Sequence, residues 1–152
     1  MKIRYDSRVG RWLAVMALCL LGGTLAGCED ISDKNIEFAT LAETRSLLQD
    51  KPGVARAVDV RPGAEFAAGH LPGAVSLELA DVSATKDSID PALAAYKFLI
   101  VYGSDPGSGS ARAMAKRLMT AGHKGVKFFA GGYAEWVGSG LRPETGGPPA
   151  AR

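Results

Sequence analysis

The sequence predicts an α/β fold, a parallel sheet with helices covering both faces, and three observations predict it. Helix and strand signals alternate from about residue 36 to residue 141. The run Phe98-Leu-Ile-Val-Tyr102 is apolar throughout, as a strand buried on both faces should be. Ser110–Ala121, which follows it after a glycine-rich loop, puts Ala111, Met114, Ala115, Leu118 and Met119 on one helical stripe. Strands separated by helices are joined by crossovers, and crossovers give parallel pairing.

Each element has its own local reason. Thr40-Leu-Ala-Glu43 has capping-box spacing, in which hydroxyl and carboxylate satisfy free amides at a helix start. A helix from there to about Gln49 has Leu41, Leu47 and Leu48 as apolar positions, and Pro52-Gly53 breaks it. Ala55–Val60 reads as a short strand. Pro62–Ala68 suits a short helix with Pro in its first turn. Gly69-His70-Leu71-Pro72-Gly73 is turn chemistry, and Ala74–Leu77 is extended. Residues 78–96 give a weaker pattern: a loop, then a helix near Pro91–Ala95. Gly122 ends the Ser110–Ala121 helix, Val126–Phe129 is the last strand, and Tyr133–Val137 is a closing helix. The folded unit is therefore residues 36–141. Residues 142–152 have no periodic apolar pattern and read as a flexible tail.

With 152 residues, 47% of them hydrophobic, the chain suits one domain with a buried core. Two cysteines exclude a disulfide-dense scaffold and a four-cysteine metal site. The formal charge of +2 hints at an anionic partner, but it is concentrated at the front. Lys2, Arg4, Arg8 and Arg11 stand there against Asp6, followed by the apolar run Trp12–Leu21 and the small residues Gly22–Gly27. That order is a secretory signal peptide, and its apolar core is about half the roughly 20 residues a membrane span needs.

Leu25-Ala26-Gly27-Cys28 resembles the bacterial lipobox. The resemblance implies cleavage before Cys28, a diacylglycerol on its sulfur and an acylated amine, together enough for stable anchoring. The expected organisation is a lipoprotein signal peptide at 1–27, a polar tether at 28–35, the domain at 36–141 and the tail. The expected location is the bacterial cell envelope, with the membrane as partner through the lipid on Cys28 and the domain facing periplasm or exterior. Without residues 1–27 the charge falls from +2 to −1. With no basic stripe interleaved with aromatics, nucleic-acid binding has no support.

The domain's motifs resemble the rhodanese family. They are Asp59-Val60-Arg61, Glu65-Phe66 followed by Gly69-His70-Leu71-Pro72-Gly73-Ala74, Val101-Tyr102 with its loop and Ser110-Ala111-Arg112-Ala113, and Gly131-Gly132-Tyr133 with Trp136. The implied fold is rhodanese-like: a five-stranded, mostly parallel sheet flanked by helices on both faces. Active members of that family carry a nucleophilic cysteine at the first position of the loop, which accepts and passes on a sulfane sulfur. Loop amides converging at a helix N-terminus suit a thiolate, a persulfide or an oxyanion.

Here the loop reads Gly103-Ser104-Asp105-Pro106-Gly107-Ser108-Gly109-Ser110 and is one residue longer than the resemblance implies. Counted from Val101-Tyr102, the nucleophile's place is Gly103; counted from the helix, it is Ser104. Gly109 stands where the family often has Arg. The only cysteines are Cys19 and Cys28. No catalytic residue is assigned, because Ser104 lacks an evident base and cannot form a persulfide.

The expectation is a non-catalytic binding or scaffold module, with an unknown periplasmic protein as a possible partner. A sulfurtransferase-type protein using a partner's thiol and an oxyanion sensor are the alternatives. The candidate ligand-binding loop is Gly103, Ser104, Asp105, Gly107, Ser108, Gly109 and Ser110. Asp105 opposes an anion there, by roughly 3 kcal/mol at about 5 Å and an effective dielectric near 20, and by much less if it faces solvent.

Asp59 and Arg61 are candidate pocket residues at a strand's C-terminal end, where α/β sheets place ligands, or else an internal ion pair fixing the turn. His70 is expected to stabilise its turn, and His123 to be a solvated connector residue. No cofactor or metal is expected, since no His/Cys/Asp/Glu set has ligand spacing. The loop lacks the Lys of a phosphate-binding loop, and Gly107-Ser-Gly-Ser-Ala fails Gly-x-Ser-x-Gly at its last residue.

Overall fold

The structure is a computed structural model and describes residues 31–83, 85, 88 and 90–147. The expected signal peptide at 1–27, Cys28 and residues 148–152 lie outside them. Among the described residues no helix is long and apolar enough to cross a membrane.

Five strands form one sheet: β1 (Glu37–Ala39), β2 (Ala55–Asp59), β3 (Val75–Ser76), β4 (Phe98–Tyr102) and β5 (Val126–Phe129). Their order is β1-β5-β4-β2-β3, and every pair is parallel. The helices are α1 (Leu41–Arg45), α2 (Gly63–Ala68), α3 (Pro91–Ala94), α4 (Gly109–Thr120) and α5 (Gly132–Gly138).

The apolar run of β4 explains the layering. Successive side chains point to opposite faces. Leu99 and Val101 join Met114, Ala115 and Leu118 of α4 in one core. Ile100 and Tyr102 join Phe66 of α2, Leu71 and Trp136 of α5 in the other. A strand feeding two cores has no polar face, which is why its sequence shows no alternation.

Four local features differ from the sequence pattern. β1 was not anticipated: it is three residues long, with Glu37 and Phe38 exposed and only Ala39 buried, so it lacks a period-2 signal. The helix after it splits, with α1 passing into a wider π-type turn at Ser46–Asp50. Thr40 Oγ1 does accept from the Glu43 amide at 3.2 Å, but the Glu43 carboxylate pairs with Lys127, so half the capping box forms. In the tether, Asp33–Asn35 form a 3-10 turn held by Lys116 Nζ on Asp33 Oδ1 at 2.7 Å.

In the segment expected to be a tail, residues 142–147 lie against the domain. His70 and Glu144 exchange backbone hydrogen bonds of 2.8 Å in an antiparallel bridge, and the Gly146 amide donates to Ala67. The Glu144 carboxylate accepts from the Gly73 amide, and Trp136 Nε1 donates to the Arg142 carbonyl. These are mostly backbone bonds, invisible to a search for apolar periodicity.

Candidate functional site

The ends of β2 and β4 are register partners, Asp59 beside Tyr102. Asp59 has 0% exposure, so its charge must be met inside the protein. Oδ1 accepts from the Arg61 amide at 2.9 Å and from Arg61 Nε at 3.0 Å. Oδ2 accepts from Arg61 Nη2 at 2.6 Å and from the Tyr102 hydroxyl at 2.5 Å. Arg61 Nη2 also donates to the Gly69 carbonyl, and the guanidinium lies 4.1 Å from the Tyr133 ring centre. The Tyr102 oxygen in turn accepts from the Leu71 amide at 3.1 Å.

Burial, then the Asp59 charge and hydrogen bond, push the Tyr102 hydroxyl far above its ordinary value. For Arg61, burial works against the charge, but the bond and charge of Asp59 outweigh it and leave the guanidinium above its ordinary value. Asp59 and Arg61 therefore form an internal ion pair at the strand-to-helix junction. The arrangement fixes where α2 begins and where the Gly69–Gly73 turn sits.

The loop leaves β4 at Gly103, which is buried. Its first two carbonyls face α5: Gly103 accepts from the Tyr133 amide and Ser104 from the Ala134 amide, both at 2.9 Å. Gly132 makes this approach possible. Its φ is +61°, and a Cβ there would lie 2.6 Å from the Gly103 carbonyl oxygen. Ser108 caps α4, its Oγ accepting from the Ala111 amide at 3.3 Å and lying 3.0 Å from Ser110 Oγ. The same side chain lies over Gly103, where a Cβ would collide with it.

Ser104 Oγ donates to Glu65 Oε2 at 3.2 Å, and that oxygen lies 3.8 Å from Arg61 Nη1. Asp105 and Gly107 are exposed, so Asp105 faces solvent, while Gly107 turns the chain at φ +100°. Among the described residues, the amides of Gly109 and Ser110 at the start of α4 have no protein acceptor.

The structure thus brings Gly103, Ser104, Ser108 and Ser110 together, with Gly109 at the head of α4. Asp105 and Gly107 stay on the outer rim. Two contributors were not singled out from sequence for this site: Glu65, known only as part of a motif, and Tyr133, whose ring covers Arg61. Among the described residues, no group of three or more His, Cys, Asp or Glu is placed to hold a metal.

A model of the rhodanese-like domain matches residues 40–139. The chain belongs to this family. No curated protein matches it. A human single-domain sulfurtransferase, TSTD1, is 31% identical over 66% of this chain and 95% of its own, with a TM-score of 0.52. BH2092 from Bacillus halodurans shares the fold with a TM-score of 0.61 at 18% identity, over 91% of this chain and 86% of its own. A thiosulfate sulfurtransferase from Pseudomonas aeruginosa matches over 77% of this chain, which spans 22% of that enzyme, at 22% identity and a TM-score of 0.57.

In this rhodanese-like domain the histidines do different things. His70 is buried, with Nδ1 2.9 Å from the Phe66 carbonyl and its ring stacked on Phe66 at 3.9 Å. His123 corrects the sequence reading: it is only 8% exposed, not solvated. It lines a cavity of about 260 Å³ with Asp81, Ser83, Ser88 and Asp90, beyond the far end of α4 from the loop. The chain folds back from Gly122, its His123 amide on the Leu118 carbonyl, and so tucks the ring in.

Proposed function

We propose that this rhodanese-like protein is a membrane-anchored lipoprotein whose domain binds a partner or ligand and does not transfer sulfur through a residue of its own. One observation carries the reading. At the position where the family resemblance puts the nucleophile stands Gly103, and the Ser108 side chain fills the space beside it. The sequence beyond Cys28 contains no other cysteine. Ser104, the other candidate position, bonds to Glu65 and has a hydroxyl, not a thiol.

The full chain, purified from a bacterium with lipoprotein-processing enzymes, should not transfer sulfur from thiosulfate to cyanide. Turnover abolished by Ser104→Ala would overturn the reading. Mass spectrometry of the same sample should show a chain beginning at acylated Cys28, and an unmodified Cys28 would remove the lipoprotein part.

A second reading, sulfur handling with a partner's thiol or oxyanion sensing, draws on the free amides of Gly109 and Ser110 beside the Ser108 and Ser110 hydroxyls. It requires a persulfidated protein to co-purify, or thiosulfate or sulfite to raise the unfolding midpoint.

A further inference from the structure

We infer that the β1 edge of the domain is its membrane-facing side, with Phe38 entering the phospholipid headgroup layer and Arg112 beside it pairing with lipid phosphate. The inference rests on the proposal that Cys28 is acylated, and it adds an orientation that acylation alone does not supply.

Three observations meet at this edge. Phe38 is 54% exposed on the edge strand, the more exposed of the two large apolar side chains left open to solvent among the described residues. Its ring leans on Phe128 at 5.7 Å, so it is held outward by packing. The Arg112 guanidinium lies 5.8 Å from the Phe38 ring centre and, among the described residues, has no carboxylate partner. The carboxylates close by are engaged: Asp33 with Lys116, and Glu37 with Lys127.

Chain length supplies the occupant. Asp33 is tied to Lys116, one turn beyond Arg112 on α4. Cys28 is five residues before Asp33, and at about 3.6 Å per residue that stretch reaches no more than about 18 Å. An acylated Cys28 lies at the bilayer interface, so the end of the sheet tied to it is the end that meets headgroups. The opposite edge, β3, lies four strand spacings away, about 19 Å across the sheet.

An aromatic ring beside a guanidinium suits the interface, where apolar surface enters the acyl boundary and the cation stays at the phosphates. The spacer of residues 29–35 carries Glu29, Asp30 and Asp33 against Lys34, so it brings no excess of positive charge. The contact therefore orients the domain rather than forming a second electrostatic anchor.

The test uses the processed full chain on vesicles of phosphatidylethanolamine and phosphatidylglycerol containing brominated acyl chains. Phe38→Trp should be blue-shifted and quenched. Ala80→Trp, exposed beyond β3, should be neither, and Arg112→Gln added to Phe38→Trp should reduce the quenching. In the unsubstituted protein, amides of residues 37–39 should exchange more slowly on vesicles than in the soluble Cys28→Ser variant, with residues 75–76 unchanged. Acylated, vesicle-bound protein showing equal quenching at 38 and 80 and no added protection at β1 would overturn the orientation while leaving the anchor standing. Protein that is not acylated and does not bind vesicles would overturn both.

Discussion

Ser108 occupies the space that a side chain on Gly103 would need: a Cβ at position 103 would lie 2.5 Å from Ser108 Cβ and closer still to its hydroxyl. The relationship joins two functions in one serine. Its Oγ caps α4, and its position keeps the first residue of the loop without a side chain. The carbonyls of Gly103 and Ser104 are committed to α5, so the backbone there has little room to move aside.

Restoring a thiol to this loop therefore takes two substitutions. Gly103→Cys alone should cost roughly 1–3 kcal/mol by overpacking, read as a lower urea midpoint. Gly103→Cys with Ser108→Gly should recover most of that, since a glycine cap costs only about a few tenths of a kcal/mol. Its thiol, near the first amides of α4, should titrate below the ordinary value of about 8.5. Ser104→Cys should behave oppositely, because the Glu65 carboxylate accepts from that position and would disfavour a thiolate. Alkylation rate against pH measures both, and a more acidic thiol at 104 than at 103 would contradict the loop geometry.

The buried network at Asp59 should be indispensable to folding. Asp59→Ala leaves the Arg61 guanidinium, 5% exposed, without its carboxylate, and should cost about 3–5 kcal/mol. Tyr102→Phe is milder. It leaves the Leu71 amide and one Asp59 oxygen a bond short, at about 1–3 kcal/mol. The double variant should cost less than the sum, because both changes break one network. Urea unfolding checks all three, and strict additivity would mean that the two bonds are independent.

How far the sequence carried depended on what kind of interaction held each part. Alternating α and β signals, the two-faced apolar run of β4 and the Met114–Leu118 stripe report burial, and burial leaves a periodic trace. β1 left none, since its pairing with β5 is backbone to backbone and Phe38 points outward. The strap at Arg142–Gly147 escaped for the same reason. At the site, the glycine and serine content of the loop was legible, whereas Ser108 lying over Gly103 depends on how the loop turns through Gly107. The Asp59–Arg61 spacing was equally consistent with a pocket and an ion pair. Tyr102, 43 residues on in sequence but beside Asp59 in the sheet, joins that pair by donating to Asp59 while accepting from the Leu71 amide, a contact that local spacing does not show.

The strap should stabilise the fold as a unit. Ending the chain after Leu141 removes the two His70–Glu144 backbone bonds, the Gly73–Glu144 and Gly146–Ala67 bonds, and the acceptor of Trp136 Nε1. At about 1 kcal/mol net for each bond, the loss should be at most about 5 kcal/mol. Trp136 emission should shift, because its indole N–H loses its protein partner. An unchanged urea midpoint would mean that the strap contributes nothing net.

His123 should make stability fall as pH drops below neutrality. Burial holds its imidazole below the ordinary value of 6.5, with Asp90 offsetting part of the effect. The unfolded chain then binds a proton more readily than the folded one, and stability rises with pH wherever that is so. His123 is therefore neutral at no cost above about 6.5. The penalty grows as pH falls from there towards the depressed folded value, and levels off below it. His123→Gln, which cannot charge, should remove this slope below about pH 6.5 in urea midpoints. Asp33, held below its ordinary 3.8 first by the hydrogen bond from Lys116, contributes in a separate window. Its stabilisation is present above 3.8 and is lost as pH falls through the folded value, so it cannot mimic the histidine. A His123→Gln protein with the same slope near pH 6 as the parent would show that another group carries the dependence.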